Sequence, residues 1–145
     1  MLRTILPDVL HEILKKHLAW LEDEPDGEKA NLSSANLSSA NLSFANLRSA
    51  TLSSADLSSA DLSFADLRSA NLSSADLRSA NLDFSSGFSF RCTSFGAKID
   101  IRLGAQLAYH FCKMDSEDPD VKAAQQTMKD LANKSHLVEE CGRIE

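Results

Sequence analysis

From residue 30 to residue 84 the chain reads ANLSS ANLSS ANLSF ANLRS ATLSS ADLSS ADLSF ADLRS ANLSS ADLRS ANLDF, eleven five-residue units with Ala first and Leu third in every one. A period of five fits neither the α-helix nor the alternation of a β-strand, so no long regular element can hold both Ala and Leu on one face. The chain has to turn once per unit. Each unit then supplies one short extended edge with its Ala and Leu inward, and stacked units bury a column of leucines beside a column of alanines.

The pattern A(D/N)LXX resembles the pentapeptide-repeat family. Ala30-Asn31-Leu32-Ser33-Ser34 matches it in full, and only Ala50-Thr51-Leu52 replaces the Asx. The resemblance covers about half the chain. It implies an all-β solenoid with helical ends: a right-handed quadrilateral β-helix with Leu and Ala inside, four units per coil, and the second, fourth and fifth residues facing solvent. The fifth positions agree with four units per coil, because Phe occurs there only at Phe44, Phe64 and Phe84, at intervals of 20, and Arg48 and Arg68 repeat that interval. Duplication of a 20-residue block (NLSFANLRSA against DLSFADLRSA) accounts for the same spacing.

After Phe84 the pattern decays into SSGFSFRCTSFGAKID. Counting on by fives puts Gly87, Cys92 and Ala97 at the Leu position and Ser85, Phe90 and Phe95 at the Ala position. A second phase, with Phe90 and Phe95 inward and Thr93 as the small residue, fits equally well. Either gives a rod about 17 Å long at the ~4.8 Å spacing of neighbouring strands. A rod that short needs lids over its end coils.

The flanks supply them, giving an organisation of 1–29 as N-terminal capping helix and linker, 30–99 as the repeat, and 100–145 as a C-terminal helical hairpin. Ile5, Leu6, Val9, Leu10, Ile13, Leu14, Leu18 and Leu21 recur at helical intervals, with Pro7 and Asp8 suited to a first turn. Trp20 is placed to seal the lid against the first coil. In the hairpin, Leu103, Leu107, Phe111 and Met114 mark one helix. Asp118-Pro119 starts a second, carrying Val121, Ala124, Met128, Leu131 and Val138.

Composition narrows the function classes. The 145 residues are 43% hydrophobic and 25% charged, with a net charge of −6, which disfavours direct nucleic-acid binding through a basic surface. The first residues lack a signal-peptide apolar run and no membrane span is evident, so the expectation is a cytoplasmic protein. Cys92, Cys112 and Cys141 are odd in number and without CxxC spacing, which argues for free thiols over a disulfide framework or a zinc site. His110, Cys112, His136 and Cys141 form no metal constellation, because residues two apart on a helix point to different sides.

Of the 22 fourth and fifth positions, 15 are Ser, three Phe, three Arg and one Asp. The serines have no His within the repeat to act as base, since His11, His17, His110 and His136 all lie in the flanks. The expectation is a non-enzymatic scaffold, without cofactor or metal, for an unidentified protein partner. Its candidate interaction surface is Phe44, Phe64, Phe84, Arg48 and Arg68. The aromatic ladder serves as a seat for a terminal helix, a homodimer seam or a contact for a foreign partner. Leu107, Phe111, Met128 and Leu131 are the candidate cap or dimer surface, in keeping with the family's dimerisation through its C-terminal end. Arg48, Arg68 and Arg78 are expected to pair across coils with Asp66, Asp76 or Asp56.

The resemblance also implies an alternative, imitation of duplex DNA to bind a type II topoisomerase such as gyrase. A rod of about 17 Å would need about 10 negative charges to match DNA's one per ~1.7 Å. Residues 30–99 hold five Asp against five Arg and Lys, and the charge lies in the flanks at −3 each. Ice or surface binding by the Ser lattice is a remote third reading, since only Thr51 adds a methyl group.

Overall fold

The computed structural model describes residues 2–87, 97–113, 115–135, 138–139 and 142–144. The chain divides into two compact units, Met1–Lys98 and Ile99–Glu145.

In the first unit every repeat is an extended second residue followed by a turn over its fourth and fifth residues. The N–H of the next Ala donates back to the Leu carbonyl, as from Ala35 to Leu32 at 3.1 Å and from Ala60 to Leu57 at 3.0 Å. All eleven fifth residues have positive φ, between 54° at Ser34 and 62° at Ser49. A positive φ at the third of four turn residues is the requirement of a type II turn, which Gly meets at no steric cost. Here Ser meets it eight times and Phe three times. The Asx at the second position explains part of how. Its Oδ1 accepts from the N–H of the fourth residue, at 3.2 Å in Asn31–Ser33 and 3.0 Å in Asp56–Ser58, an Asx turn that aims the chain into the corner.

From Asn31 to Asp66, parallel bridges join each second residue to the one 20 positions on. They form four ladders: Asn31–Thr51–Asn71, Asn36–Asp56–Asp76, Asn41–Asp61–Asn81 and Asn46–Asp66–Ser86. The rungs alternate direction, with Thr51 N–H donating to the Ala30 carbonyl at 3.0 Å and Leu32 N–H donating to the Thr51 carbonyl at 2.7 Å. All eleven leucines from Leu32 to Leu82 are buried. The alanines are buried except Ala40 and Ala45, which are only half-buried. Both lie in the first tier of units, residues 30–49, which has no earlier tier beneath it.

Before the repeat, β1 (Arg3–Thr4) pairs in parallel with β2 (Ala35–Asn36), and α1 spans Pro7–Leu21. Ile5 and Leu6, expected in the helix, lie outside it. Pro7 restricts the residue before it to extended backbone, and Leu6 sits at φ −71°, ψ 151°. After Phe84, Ser86 keeps the count by pairing with Asp66, but Lys98 pairs with Asp76, two residues later than a strict interval of 20 requires. Lys98 therefore takes a second position and Ala97 a first one, correcting the placement of Ala97 at a Leu position. Phe90, Cys92, Thr93 and Phe95, which distinguish the two phases, lie outside the described residues.

The second unit holds α2 (Ile101–Lys113) and α3 (Pro119–Ala132). Asp118 caps α3, its Oδ1 accepting from Asp120 N–H at 2.9 Å and Val121 N–H at 3.2 Å. Ala108, Tyr109 and Ala132 are buried together, with Cys112, Leu131, Val138 and Ile144 packed against them. Val138, expected on the second helix, lies beyond its end. The return is pinned where Asn133 Nδ2 donates to the Ile144 carbonyl and Tyr109 OH donates to the Gly142 carbonyl.

Two outcomes follow. Leu57 is fully buried, so Leu57→Lys, which places an ammonium in the leucine column, abolishes the folded circular-dichroism spectrum; a native spectrum would refute the inward assignment. At Ser59, φ 58°, Ser59→Gly raises stability by up to about 1 kcal/mol and Ser59→Pro unfolds the chain, since proline fixes φ near −65°. Denaturant midpoints read both.

Candidate functional site

Phe44, Phe64 and Phe84 stand one above another in the ladder of units 20 apart. The ring centroids of Phe44 and Phe64 are 4.8 Å apart with planes 1° from parallel, and those of Phe64 and Phe84 are 4.9 Å apart at 14°. That separation is the strand spacing itself: the backbone sets the stack. The rings are 73%, 49% and 67% exposed. They make a continuous apolar stripe on the outside of the repeat.

On either side of the aromatic ladder stand arginines, Arg48 and Arg68 with the Asn46–Asp66–Ser86 ladder and Arg78 with the Asn36–Asp56–Asp76 ladder. Arg68 pairs with Asp66 of its own unit, Nη2 to Oδ2 at 2.6 Å and Nε to Oδ1 at 2.9 Å, and Arg78 makes the same fork on Asp76. The expected pairing across coils is therefore replaced by pairing within a unit, because residues two apart on an extended edge project on the same side. Hydrogen bonding to Arg68 and to Arg78 holds Asp66 and Asp76 at about 2. Asp61 is lowered by Ser63. Arg48 makes no such pair among the described residues, an Asn occupying the equivalent position at 46. Stacked Asx side chains also bond between tiers, as from Asn81 Nδ2 to Asp61 Oδ1 at 3.2 Å.

At the start of the repeat a residue not singled out by the sequence does the sealing. His17 is fully buried and its Nδ1 accepts the Ala30 N–H at 3.1 Å. The neutral ring then carries its proton on Nε2, which has no formed hydrogen bond among the described residues. Trp20, expected as the seal, stacks on His17 with centroids 5.6 Å apart and is itself 36% exposed. Gly27 lets the following turn lie directly on the Trp20 backbone, where a Cβ would collide with main-chain atoms. Only helical periodicity in α1, placing His17 on the stripe of Leu10 and Leu14, hinted at this role.

In the second unit Leu107 and Phe111 are half-buried and Met128 is 37% exposed. Leu131, half-buried as well, packs against the hairpin's own core. Burial raises the Cys112 thiol above its ordinary value, the reverse of what a reactive thiolate needs. Cys92, Cys141 and His136, with the His110 side chain, lie outside the described residues. Among those described, no three His, Cys, Asp or Glu are grouped to hold a metal. His11 does approach the repeat, sharing a groove with Ser38 and Ser39, but Ser38 Oγ donates to Asn36 Oδ1 at 2.7 Å. No described helix is long and apolar enough to cross a membrane.

A family model described as pentapeptide repeats matches residues 28–53 and 55–86, in eight copies. Solved structures similar to this chain include a pentapeptide repeat protein from the cyanobacterium Cyanothece 51142, 34% identical over 48% of this chain and 40% of that one, with a TM-score of 0.27. HetL, a pentapeptide repeat protein involved in heterocyst differentiation regulation from Nostoc sp. strain PCC 7120, is 36% identical over 48% of this chain and 27% of its own, with a TM-score of 0.26. A further pentapeptide repeat protein from Nostoc PCC 7120 is 24% identical over 69% of this chain and 99% of its own, with a TM-score of 0.39. The chain thus spans less than half the length of the first two. Comparison with curated proteins found no match.

Burial lowers the His17 pKa below 6.5, partly offset by the Arg48 backbone and aided by the Lys29 charge. Between the folded and unfolded values the unfolded state binds more protons, so stability is full above pH 6.5 and falls as pH drops through the folded value. Melting midpoints of the wild type decline over that window. His17→Gln, which keeps an acceptor for Ala30 and does not titrate, flattens the profile there; an unchanged profile would remove His17 from the seal.

Proposed function

Residues 28–53 and 55–86 of the chain are pentapeptide repeats, and on that premise we propose that the repeat is a right-handed quadrilateral β-helix acting as a non-catalytic, cytoplasmic scaffold for protein–protein interaction. The contact surface is the stripe of Phe44, Phe64 and Phe84 with the adjoining row of Arg48 and Arg68.

One observation carries this reading. Eight of the eleven corners are made by Ser in the same left-handed conformation, so the fold does not need Phe at the other three. A bulky side chain at positive φ is unfavourable, and an exposed ring in water adds nothing to folding that a buried one would. What the three rings supply in register is a ready apolar surface beside guanidinium groups, the residue types enriched at protein contacts. The DNA-mimic alternative draws little support, since Asp66 and Asp76 are already paired to arginines of the same units. Catalysis by the surface serines lacks support as well, because the described hydroxyls at Ser38, Ser43, Ser58 and Ser73 each bond the Asx two residues before.

Replacing the rings by the residue that makes the other corners isolates the surface from the fold. The Phe44→Ser, Phe64→Ser, Phe84→Ser variant is expected to melt within a few degrees of wild type and to lose the partner captured from source-cell lysate. Sedimentation of both proteins tells whether that partner is a second copy. Unchanged capture by the folded triple variant would end this reading.

A further inference from the structure

Along α1 a single side chain is fully buried, and it is a titratable one. His17 has no exposed surface, whereas Leu10, Ile13, Leu14 and Leu21 on the same stripe are half-buried and Val9, Leu18 and Trp20 are exposed. A helix with so few buried contacts belongs to the low-stability end of a fold. Its two ends are tied to the repeat by different chemistry. Ahead of the helix, β1 is fixed by the main chain: it pairs in parallel with Ala35–Asn36, and Arg3 N–H donates to the Ser34 carbonyl at 2.6 Å. At the far end the imidazole makes the link, its Nδ1 accepting the Ala30 N–H at 3.1 Å. The segment between folds back on the helix itself, where Glu28 N–H donates to the Lys16 carbonyl at 3.0 Å.

The groups facing the imidazole decide what a proton does there. An imidazolium is a donor at both nitrogens, so its Nδ1–H would meet the Ala30 N–H head on. The Lys29 ammonium adds like charge and stands over the neighbouring Trp20 ring, 6.0 Å from the centroid. The Arg48 main chain favours the cation, and so does the stacked Trp20 ring. Burial is the largest influence, and it favours the neutral ring. Lys16 and Glu28 pair with each other at 3.1 Å. The repeat offers no comparable group: residues 30–99 hold no histidine, and Asp66 and Asp76 are held at about 2 by their arginines.

We propose that α1 is an acid-released cap: a proton on His17 breaks the hydrogen bond to Ala30, and the helix swings out with β1 still paired and the ladders intact. The hinge is Ile5–Leu6, since Leu6 is already extended and Pro7 begins the helix. Release opens the first tier beside Leu37 and Ala40, which share a groove with Leu10 and Leu14. The device is separate from the aromatic stripe and does not depend on the scaffold reading.

Native-state hydrogen exchange of the full chain, followed from about pH 7.5 to about pH 4.5 and read as protection factors so that the intrinsic pH dependence cancels, tests the cap. Protection at the Ala30 amide should fall by up to about tenfold per pH unit below 6.5 and level off once the folded ring is protonated. The Arg3, Leu57 and Leu62 amides should keep theirs. Global unfolding lowers melting midpoints over the same range, but it strips the ladders too. His17→Gln, which does not titrate, should hold Ala30 protection level, and His11→Gln should behave like wild type. If His17→Gln does not fold, the NMR titration of the wild-type His17 ring takes its place, with a midpoint that must coincide with the loss at Ala30. Ala30 protection independent of pH, loss at Arg3, Leu57 or Leu62 in step with Ala30, or release that persists in His17→Gln each overturns the proposal.

Discussion

Every unit of the repeat depends on one backbone condition, a fifth residue held at φ near +58° so that the chain can turn after five residues. For an L residue that conformation costs about 1–2 kcal/mol, and the chain meets it with Ser and Phe eleven times in a row. The compensation is local. Each unit buries a leucine, which contributes about 1.5–3 kcal/mol, and interior units make ladder hydrogen bonds to the tiers on both sides, each worth about 0.5–1.5 kcal/mol net. Strain and burial arise in the same five residues. That is why a short stack suffices, and why a residue that cannot turn at the fifth position has an effect out of proportion to its size.

Because the turn fixes the period, it also fixes what the outside looks like. Side chains at equivalent positions recur at the strand spacing, so any residue repeated every 20 becomes a stack, whether phenylalanine rings 4.8 Å apart or Asx side chains hydrogen-bonded between tiers. Charges behave differently. Arg68 and Arg78 find a carboxylate within their own units, which offsets their charge and leaves the aromatic stripe as the most distinctive chemical feature of the repeat. Where the stack begins, the periodic solution has no neighbour, and the flank supplies irregular substitutes: a buried imidazole for Ala30, a guanidinium for Asn31 and a two-residue strand for Ala35 and Asn36.

The inward residues and the interval of 20 were legible because they are properties of period: Ala and Leu at fixed places, Phe at 44, 64 and 84. The two helices of the C-terminal unit were legible from apolar spacing and from Asp118-Pro119. Less was readable where one chance neighbour decides. Nothing in the spelling of α1 distinguishes His17 from a surface histidine, and Trp20 is the larger and more obvious seal. Ile5 and Leu6 continue the helical spacing, yet Pro7 puts them outside the helix. Counting by fives likewise fails between Ser86 and Lys98, where the chain takes two more residues to reach its next rung.

The repeating unit, its inward face and the register of its side-chain stacks are written in the residues, since these follow from steric rules acting within five residues and repeated. The fold as a whole settles how the stack begins, with His17, Arg3 and β1 as its closing groups, and where the count slips before Lys98. Those outcomes depend on where a single backbone N–H or carbonyl finds its partner across the fold, and a periodic sequence carries no record of that at the place where its period stops.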